Sequence, residues 1–215
     1  MSIQKMNIKI FTFNPFQENT YILYDETKEC AIIDPGCMGE MEQKQLTDFI
    51  DNQGLKPKLL INTHCHIDHI LGNKFVADKY NLELTAHKKE APVLEFGKQA
   101  AMMYQLDYKI SPEIKNYVDE GDIIAFGNTK MEVLFTPGHS PASITLYIKD
   151  QDTLIVGDVL FQGSIGRTDL PGGNFETLTR VIKAKLFTLK DETIVYPGHG
   201  PSTHIGIEKR TNPFF

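Results

Sequence analysis

The chain has 215 residues, of which 41% are hydrophobic, and this is enough to build a core without disulfide bonds. Its net charge of −6 argues against nucleic acid as a partner, because proteins that bind nucleic acids carry a basic stripe. The length fits a single domain over residues 1–215, with no linker or low-complexity segment.

The first residues and the cysteines bear on the location of the protein. Residues 1–10 alternate polar and apolar side chains and lack the continuous apolar stretch of a secretory signal. No window approaches 18 apolar residues, so we expect no membrane contact. The cysteines Cys30, Cys37 and Cys65 are an odd number without a framework spacing, which is typical of a reducing compartment. These features predict a cytoplasmic protein.

Short apolar runs bounded by Gly, Pro, Asn or Asp predict a series of β-strands along the chain. Many of these runs are rich in Ile, Val, Phe and Thr, the residues that favour strands. The predicted strands cover residues 8–13, 20–24, 30–33, 58–61, 82–86, 122–126, 130–135, 144–148, 153–156 and 193–196.

Helical spacing of apolar residues appears in four segments. It predicts helices over residues 39–52, 70–80 and 175–187, and a further helix over 88–108 that is broken near Gly97. The early strands have no helices between them, whereas later strands and helices are mixed. This order predicts an α/β protein with a mixed sheet or two packed sheets.

Three of the seven histidines fall in the string His64-Cys65-His66-Ile67-Asp68-His69. Random placement gives such a string in on the order of one chain in a thousand, so its false-positive risk is low. In an extended chain residues two apart point the same way, so His64 and His66 share one side and Cys65 faces the other. Asp68 and His69 begin the next helix, where adjacent residues diverge by about 100°. One segment could therefore offer two ligands to each of two metals.

Three more residues of metal-binding type follow predicted strands. His139, Asp158 and His199 each come directly after a glycine that closes an apolar run. Glycine permits the sharp turn and close backbone approach that a crowded site needs. Because ligands of open sheets bind outside the carboxyl ends of strands, we expect these residues to converge on one site.

These seven residues resemble the hallmark of the metallo-β-lactamase superfamily, H-x-H-x-D-H followed by a single His, Asp and His, and the match runs over roughly residues 11–201. The resemblance implies an αββα fold, a four-layer sandwich of two mixed β-sheets, with the metals at one edge. It further implies two sets of metal ligands: His64, His66 and His139 for one metal, Asp68, His69 and His199 for the other, and Asp158 as a bridge.

The ligand types also indicate the chemistry. Five imidazoles and two carboxylates without a thiolate suit zinc, with iron or manganese also compatible, so we expect two zinc ions per chain. Two metals that share a hydroxide lower the pKa of water toward neutrality and stabilise the oxyanion formed when a carbonyl is attacked. Asp68 is expected to orient the attacking hydroxide besides binding metal.

Residues 163–173, GSIGRTDLPGG, resemble the G-R-x-D loop of the glyoxalase II-like branch, whose members hydrolyse thioesters such as S-lactoylglutathione. The resemblance implies a small-molecule thioester as substrate. Persulfide dioxygenases carry a similar loop and use one iron together with oxygen. By resemblance, the iron is bound at the positions matching His64, His139 and Asp158. The seven-residue pattern does not separate the two chemistries, and the Pro-Gly-Gly favours the short bacterial hydrolases. A non-catalytic metal-binding protein is disfavoured because no ligand position is lost.

Arg167 and Asp169 in this loop are interpreted as a structural ion pair; alternatively, Arg167 orders the metal ligands through Asp169. Full-length glyoxalase II has a helical C-terminal extension with basic residues that bind glutathione. Only 16 residues follow His199 in this sequence, so we expect that extension to be absent, and glutathione specificity is left open. Lys209 and Arg210 are interpreted as exposed tail charges, in preference to substitutes for the basic residues of that extension.

The remaining candidates receive structural interpretations. His87 and His204 are expected to be hydrogen-bonding core residues rather than ligands. Cys65 is expected to be a small buried filler. Asp34 is interpreted as a turn residue, in preference to a support for a ligating histidine. The two final phenylalanines form either a packed tail or a dimer contact, and the oligomeric state stays open.

Overall fold

The computed structural model describes residues 6–215, in which two six-stranded β-sheets pack face to face between helices. Residues 1–5, which begin the segment expected to lack a secretory signal and belong to the predicted single domain, lie outside the described range. The prediction of an αββα sandwich with two mixed sheets is confirmed.

The first sheet is antiparallel at one side and parallel at the other. Its six strands lie in chain order, with antiparallel pairs among the first three and parallel pairs among the rest. These strands are β1 (Asn7–Phe13), β2 (Glu18–Tyr24), β3 (Glu29–Ile33), β4 (Lys56–Ile61), β5 (Leu84–His87) and β6 (Ile114–Val118).

The second sheet is formed by the later part of the chain. Its six strands are β7 (Ile123–Phe126), β8 (Thr129–Phe135), β9 (Ile144–Ile148), β10 (Thr153–Gly157), β13 (Ile194–Pro197) and β14 (Thr203–His204). Between β10 and β13 in the chain, β11 (Leu160–Phe161) and β12 (Ser164–Ile165) form a separate two-stranded ribbon. The order across the sheet is β14-β13-β10-β9-β8-β7, and β10 and β13 are its parallel pair.

Helices cover the outer face of each sheet. They are α1 (Gly39–Gln53), α2 (Ile67–Ile70), α3 (Asn73–Tyr80), α4 (Ala91–Tyr104), α5 (Phe175–Val181), which continues into a π-helical turn (Ile182–Leu186), and α6 (Ile205–Thr211). In the described part of the chain, no helix has both the length and the apolar character needed to cross a membrane.

Three apolar cores hold the four layers together. Successive residues of a strand point to opposite faces, so Leu60 packs toward the helices of the first sheet while Ile61 packs between the two sheets. In the second sheet Ile155 faces the core between the sheets, and Leu154 faces α5 and α6. Because both faces of these strands are buried, they read as continuous apolar runs in the sequence.

In the first half of the sandwich, one sequence prediction was wrong and one strand was missed. The helix predicted to break near Gly97 is continuous from Ala91 to Tyr104. A Cβ at Gly97 would lie 2.9 Å from Ile70 Cδ1 and 3.3 Å from the Tyr108 hydroxyl, so this glycine allows close packing rather than a break. Strand β6 was missed because its central residues are exposed and polar, and its pairing with β5 supplies its structure.

The packed-tail interpretation applies to the last residue. The Phe215 ring packs against Phe187, with centroids 4.7 Å apart, at the margin of the core under α5 and α6. Phe214 remains 43% exposed, and its ring centroid lies 6.3 Å from that of Phe175. The last residue thus packs against the outer layer, whereas the residue before it stays largely at the surface.

The topology brings four strand ends to one edge of the sandwich. Strands β8, β10 and β13 run in the same direction, so their carboxyl ends lie at the same edge of the second sheet. The loop after β4 of the first sheet reaches this edge, where Ile144 N donates a hydrogen bond to Thr63 O at 2.8 Å. This edge is where the predicted ligands lie.

Candidate metal centre

The structure brings all seven predicted ligands together and separates six of them into two groups. Within each group, one ligand atom from every residue lies within 4.8 Å of the others, and the same criterion also joins Asp34 to His64 and His69. The first donor group is His64, His66 and His139, and the second donor group is Asp68, His69 and His199. Asp158 lies between them: its Oδ2 is 3.5 Å from His139 Nε2 and 3.5 Å from His199 Nε2.

Two glycines allow the strand ends to approach this point. Gly157, at the end of β10, has a φ of +54°, a conformation that residues with a side chain rarely adopt, and it turns the chain so that Asp158 enters the site. A Cβ at Gly198 would lie 2.2 Å from Asp158 Oδ1 and 2.7 Å from His69 Cε1. The glycine before His199 is therefore required, because the backbone here passes too close to Asp158 and His69 to carry a side chain.

Hydrogen bonds behind the first donor group orient its rings. His139 Nδ1 lies 2.7 Å from the carbonyl oxygen of Arg167, and since a carbonyl only accepts, Nδ1 carries the proton and Nε2 faces the group. His66 Nδ1 approaches that Nε2 to 2.8 Å. His64 Nδ1 lies 3.2 Å from the hydroxyl of Thr63, which leaves its Nε2 to face the same space.

The second donor group is oriented in the same way. His199 Nδ1 donates to the carbonyl oxygen of Phe16 at 3.1 Å, so its Nε2 faces Asp68 Oδ2 at 3.1 Å. His69 Nε2 lies 3.7 Å from Asp68 Oδ2 and 3.5 Å from Asp158 Oδ1. Each ring thus presents one nitrogen to the shared carboxylates and keeps the other toward the protein.

Asp34 supports His69, which makes the interpretation as only a turn residue incomplete. Its backbone has the left-handed φ of +48° that a turn position predicts. Its carboxylate also lies 3.3 Å from His69 Nδ1 and accepts hydrogen bonds from Thr63 N and Thr63 Oγ1. Carboxylates behind a ligating imidazole fix the ring and raise its basicity.

The histidines of the first donor group are held neutral. Burial lowers the pKa of His64 well below its usual value, and neighbouring imidazoles such as His69 lower it further. Burial and the nearby His139 lower the pKa of His66 to about 3. Burial also lowers the pKa of His139 itself, against the opposing charge of Asp158. Neutral imidazoles are the form that binds a metal ion.

The carboxylates are held ionised. Burial is the largest single effect and would raise the pKa of Asp158 and of Asp68, but His69 and the other nearby histidines, such as His199, together lower both. The reverse holds for His69, whose burial is overcome by these two carboxylates, so its pKa lies well above the usual value. Positive charge at this point is therefore strongly stabilised by the two carboxylates.

Several buried nitrogen and oxygen atoms of the site have no hydrogen-bond partner, as expected for atoms that bind a cation. His64 Nε2, His69 Nε2 and Asp158 Oδ1 are buried and have no hydrogen-bond partner among residues 6–215. A buried polar atom without a partner costs about 1–3 kcal/mol, so three in one place require an explanation. Ligand atoms about 2.1 Å from a tetrahedral ion lie about 3.4 Å apart, close to the 3.5 Å separations around Asp158.

The remaining candidates lie outside the two donor groups. His87 is buried, accepts a hydrogen bond from Lys89 N and stacks on Phe135, with ring centroids 4.7 Å apart. His204 is exposed on the edge strand β14, so the prediction that it is a core residue was wrong. Cys65 is fully buried in the core under the first sheet, as its position between two histidines predicts.

Arg167 and Asp169 form the expected ion pair, with two hydrogen bonds of 2.7 Å between the guanidinium and the carboxylate. Both side chains are exposed, and the hydrogen bond of this loop to a predicted ligand comes from the Arg167 carbonyl rather than from Asp169. Lys209 and Arg210 lie on α6, where each contacts a different oxygen of Asp191 at 3.0 Å. They form a surface ion-pair cluster instead of free tail charges.

An open groove of about 410 Å³ adjoins the second donor group. Its lining includes Phe16, Asn19, His199 and Pro201. The Phe16 ring packs edge-to-face on Tyr104, with centroids 5.3 Å apart, and so joins the loop after β1 to the end of α4. Among the described residues that line the groove there is no lysine or arginine.

Sequence reasoning missed the polar residues that hold the loops. Asn14 Nδ2 donates to Asp68 O at 3.0 Å, Asn19 Nδ2 donates to Pro197 O and Gly200 O, and buried Glu90 accepts from Cys65 N at 2.8 Å. Their partners lie 25 to 181 residues away in the chain, so no local pattern reveals them.

Comparisons with known proteins agree with this site. A model of the metallo-beta-lactamase superfamily matches residues 13–199. The probable metallo-hydrolase YqgX of Bacillus subtilis (strain 168) is 40% identical over 201 residues, which cover 93% of each chain. Hydroxyacylglutathione hydrolase GloC of Haemophilus influenzae is 37% identical over 216 residues, which cover 97% of this chain and 98% of the relative.

Solved structures give the same result. BLEG-1 B3 metallo-beta-lactamase superposes with a TM-score of 0.89 at 35% identity, covering 97% of this chain and 99% of that one. TTHA1623 in a di-iron-bound form superposes with a TM-score of 0.87 at 35% identity, covering 96% of this chain and 100% of that one. ETHE1 from Myxococcus xanthus superposes with a TM-score of 0.80 at 27% identity, covering 97% of this chain and 84% of that one. With the two donor groups, this likeness implies that the site binds a divalent metal.

Proposed function

This chain belongs to the metallo-beta-lactamase superfamily, and from that membership we propose that it is a thioester hydrolase of the glyoxalase II type. The observation that carries the proposal is the similarity to hydroxyacylglutathione hydrolase GloC, 37% identical over 97% of this chain, together with two complete donor groups on either side of one carboxylate, Asp158. A hydrolase that uses two metals needs both groups, whereas a mononuclear enzyme needs one.

We propose that the first donor group holds one zinc ion, the second donor group holds another, and Asp158 contacts both. When bound, such a pair supplies a hydroxide at neutral pH and stabilises the negative charge that develops on an attacked carbonyl. Zinc is proposed because the donors are imidazoles and carboxylates without thiolate. Iron is also compatible, since TTHA1623, at 35% identity, is known in a di-iron-bound form.

The protein's own residues would direct the nucleophile. Asp68 is held ionised at neutral pH, with Oδ2 3.1 Å from His199 Nε2. An ionised carboxylate in this place can accept a hydrogen bond from the attacking hydroxide and aim its lone pair at the acyl carbon. The carbonyl oxygen of Asp68 is fixed by Asn14, which limits rotation of the loop that carries it.

The groove beside His199 would receive the substrate. Its volume of about 410 Å³ falls within the range of small-molecule sites. The GloC relative, named a hydroxyacylglutathione hydrolase and similar over nearly its full length, supports an acyl-thiol substrate. Because the described lining residues include no lysine or arginine, the groove itself offers no cation to the carboxylates of glutathione. We therefore propose recognition of the acyl group and thioester rather than of the whole thiol carrier.

A second candidate is an iron oxidoreductase of the persulfide dioxygenase type. The observation that favours it is that His139 Nε2 lies 3.5 Å from Asp158 Oδ2 and that the ring centroids of His139 and His64 lie 4.8 Å apart. These are the three positions that the resemblance assigns to the single iron. Because such enzymes also keep the residues of the second donor group, the preference for the hydrolase rests on the GloC relative and on the Pro-Gly-Gly of residues 171–173.

The proposed partner is a small molecule, without nucleic acid or membrane contact. The acidic net charge supports the first exclusion. The buried free thiols Cys30, Cys37 and Cys65 support a reducing compartment, so we propose that the protein is cytoplasmic.

The test combines metal content with two activity assays. Protein purified without added metal is analysed for metals and then assayed for thiol release from S-lactoylglutathione and for oxygen uptake with glutathione persulfide. The proposal expects about two metals per chain, mainly zinc, together with thiol release. One iron per chain with oxygen uptake and no thiol release would establish the second candidate instead.

A further inference from the structure

Glu90 is a buried carboxylate that belongs to none of the sequence motifs. It has no solvent exposure and lies in the short helical turn before α4. Its Oε2 accepts a hydrogen bond from Cys65 N at 2.8 Å. Its Oε1 accepts hydrogen bonds from Ala142 N at 2.9 Å and from the Ser140 hydroxyl. Both oxygens are thus used, and both act only as acceptors.

The partners of Glu90 are neighbours of the first donor group. Cys65 lies between His64 and His66 in the loop after β4 of the first sheet. Ser140 directly follows His139 in the loop after β8 of the second sheet. One side chain therefore connects the two loops that together supply all three histidines of this group.

The second donor group is held by other residues. Asn14 donates to Asp68 O at 3.0 Å, and Asn62 donates to His69 O at 3.0 Å. Asn19 donates to carbonyl oxygens on either side of His199, at 3.1 Å and 2.8 Å. The contacts of Glu90 do not include any residue of this second set of supports.

We propose that Glu90 is a positioning residue that sets the metal affinity of the first donor group and leaves that of the second unchanged. The inference rests on the two-metal site of the proposed function. The physical reason is the acceptor geometry: a glutamine would present an NH₂ group to one of the donors that Glu90 now satisfies. A donor facing a donor in a buried position pushes one histidine loop away from the other.

Glu208 provides a matched control. It is also fully buried and accepts three hydrogen bonds, from Thr203 Oγ1 at 2.6 Å, Gly163 N at 2.9 Å and Asn212 Nδ2 at 2.8 Å. None of these partners belongs to a donor group or flanks one of its residues in the chain. Glu208→Gln therefore reproduces the loss of a buried acceptor without affecting the histidine loops.

The experiment measures zinc binding by competition with a chelator, without substrate. Glu90→Gln and Glu208→Gln are each combined with His199→Ala, which impairs the second donor group, and with His139→Ala, which impairs the first. We expect Glu90→Gln to weaken zinc about 10–100-fold in the His199→Ala background. In the His139→Ala background it should change binding by less than about twofold, and Glu208→Gln should do so in both backgrounds.

Equal weakening in the two backgrounds, weakening in neither, or the same loss with Glu208→Gln would overturn the proposal. If Glu90→Gln does not fold, Ser140→Ala removes one of the three hydrogen bonds and should produce the same selectivity with a smaller change. Unchanged zinc binding by a folded Ser140→Ala protein then overturns it. Failure of the proposed function is distinct, since a protein that binds zinc but cleaves no thioester refutes the hydrolase and leaves these binding constants measurable.

Discussion

Gly198→Ala is the substitution that tests the geometry of the site most directly. The added Cβ would lie 2.2 Å from Asp158 Oδ1, 2.7 Å from His69 Cε1 and 3.2 Å from the backbone carbon of Gly157. Gly198 does not have a positive φ, so alanine introduces no backbone strain of its own. The effect should therefore come from the collision with two candidate metal ligands.

The size of the effect follows from these distances. Asp158 Oδ1 must move from 2.2 Å to the 3.4 Å at which ordinary contacts begin, a displacement of about 1.2 Å. Metal sites tolerate ligand displacements of only about 0.2 Å. A misplacement of about 1 Å costs about 100-fold in rate, which is about 2.7 kcal/mol of transition-state stabilisation. We expect a fall in kcat of at least this size, accompanied by a lower metal content.

Thiol release, metal analysis and thermal unfolding by circular dichroism are measured on the same preparation. Gly121→Ala is the control, because Gly121 has a φ of +82° and a Cβ there would meet nothing within 4 Å. That variant should lose about 1–2 kcal/mol of unfolding free energy through backbone strain and keep its kcat. A folded Gly198→Ala protein with normal kcat and full metal content would refute the reasoning.

Four further predictions test other parts of the site. His66→Ala or Asp158→Ala should abolish thiol release and His87→Ala should largely retain it; equal losses in all three would mean that the ligand set is misassigned. Asp34→Asn should weaken zinc binding about 10–100-fold, because the amide loses an acceptor behind His69, and unchanged binding would exclude this support. A small neutral lactoyl thioester should be cleaved with a kcat/KM within about tenfold of S-lactoylglutathione, whereas a much larger preference for the glutathione ester would contradict the groove argument. Burial raises the pKa of Cys30 to about 12, so iodoacetamide at about pH 8 should label it only after unfolding; rapid labelling of native protein, followed by mass spectrometry, would be inconsistent with that burial.

The candidate ligands were predictable because their signals are local. The string from His64 to His69 combines a strand-end spacing with a helix start, and the structure places α2 at Ile67–Ile70 as that reading requires. The other positions follow a repeated order of strand, glycine and ligand, and glycine is required by the left-handed φ of Gly157 and the close approach at Gly198. The parity argument also placed Cys65 in the core, away from the histidines.

The residues that support the ligands were not predictable in the same way. Glu90 stands before Ala91 and Pro92, a pattern that indicates only the start of a helix, yet its carboxylate is buried against loops of both sheets. Asp34 reads as a turn residue because its turn is local, and its contact with His69 joins positions 35 residues apart in the chain. Such contacts depend on how the loops fold over each other.

The sequence indicated an α/β protein with a mixed sheet or two packed sheets, and it identified the seven candidate ligands, because strand periods and motif spacing are properties of short segments. The resemblance to the superfamily then selected the two-sheet sandwich. Only the tertiary structure decided which donor atoms face each other, which carboxylates support them and where the groove lies. The reason is that these relations join segments far apart in the chain, and close packing of the two sheets fixes their distances. It also decided that Gly97 lies in a continuous helix, since only the packing of Ile70 against it shows why a small residue is needed there.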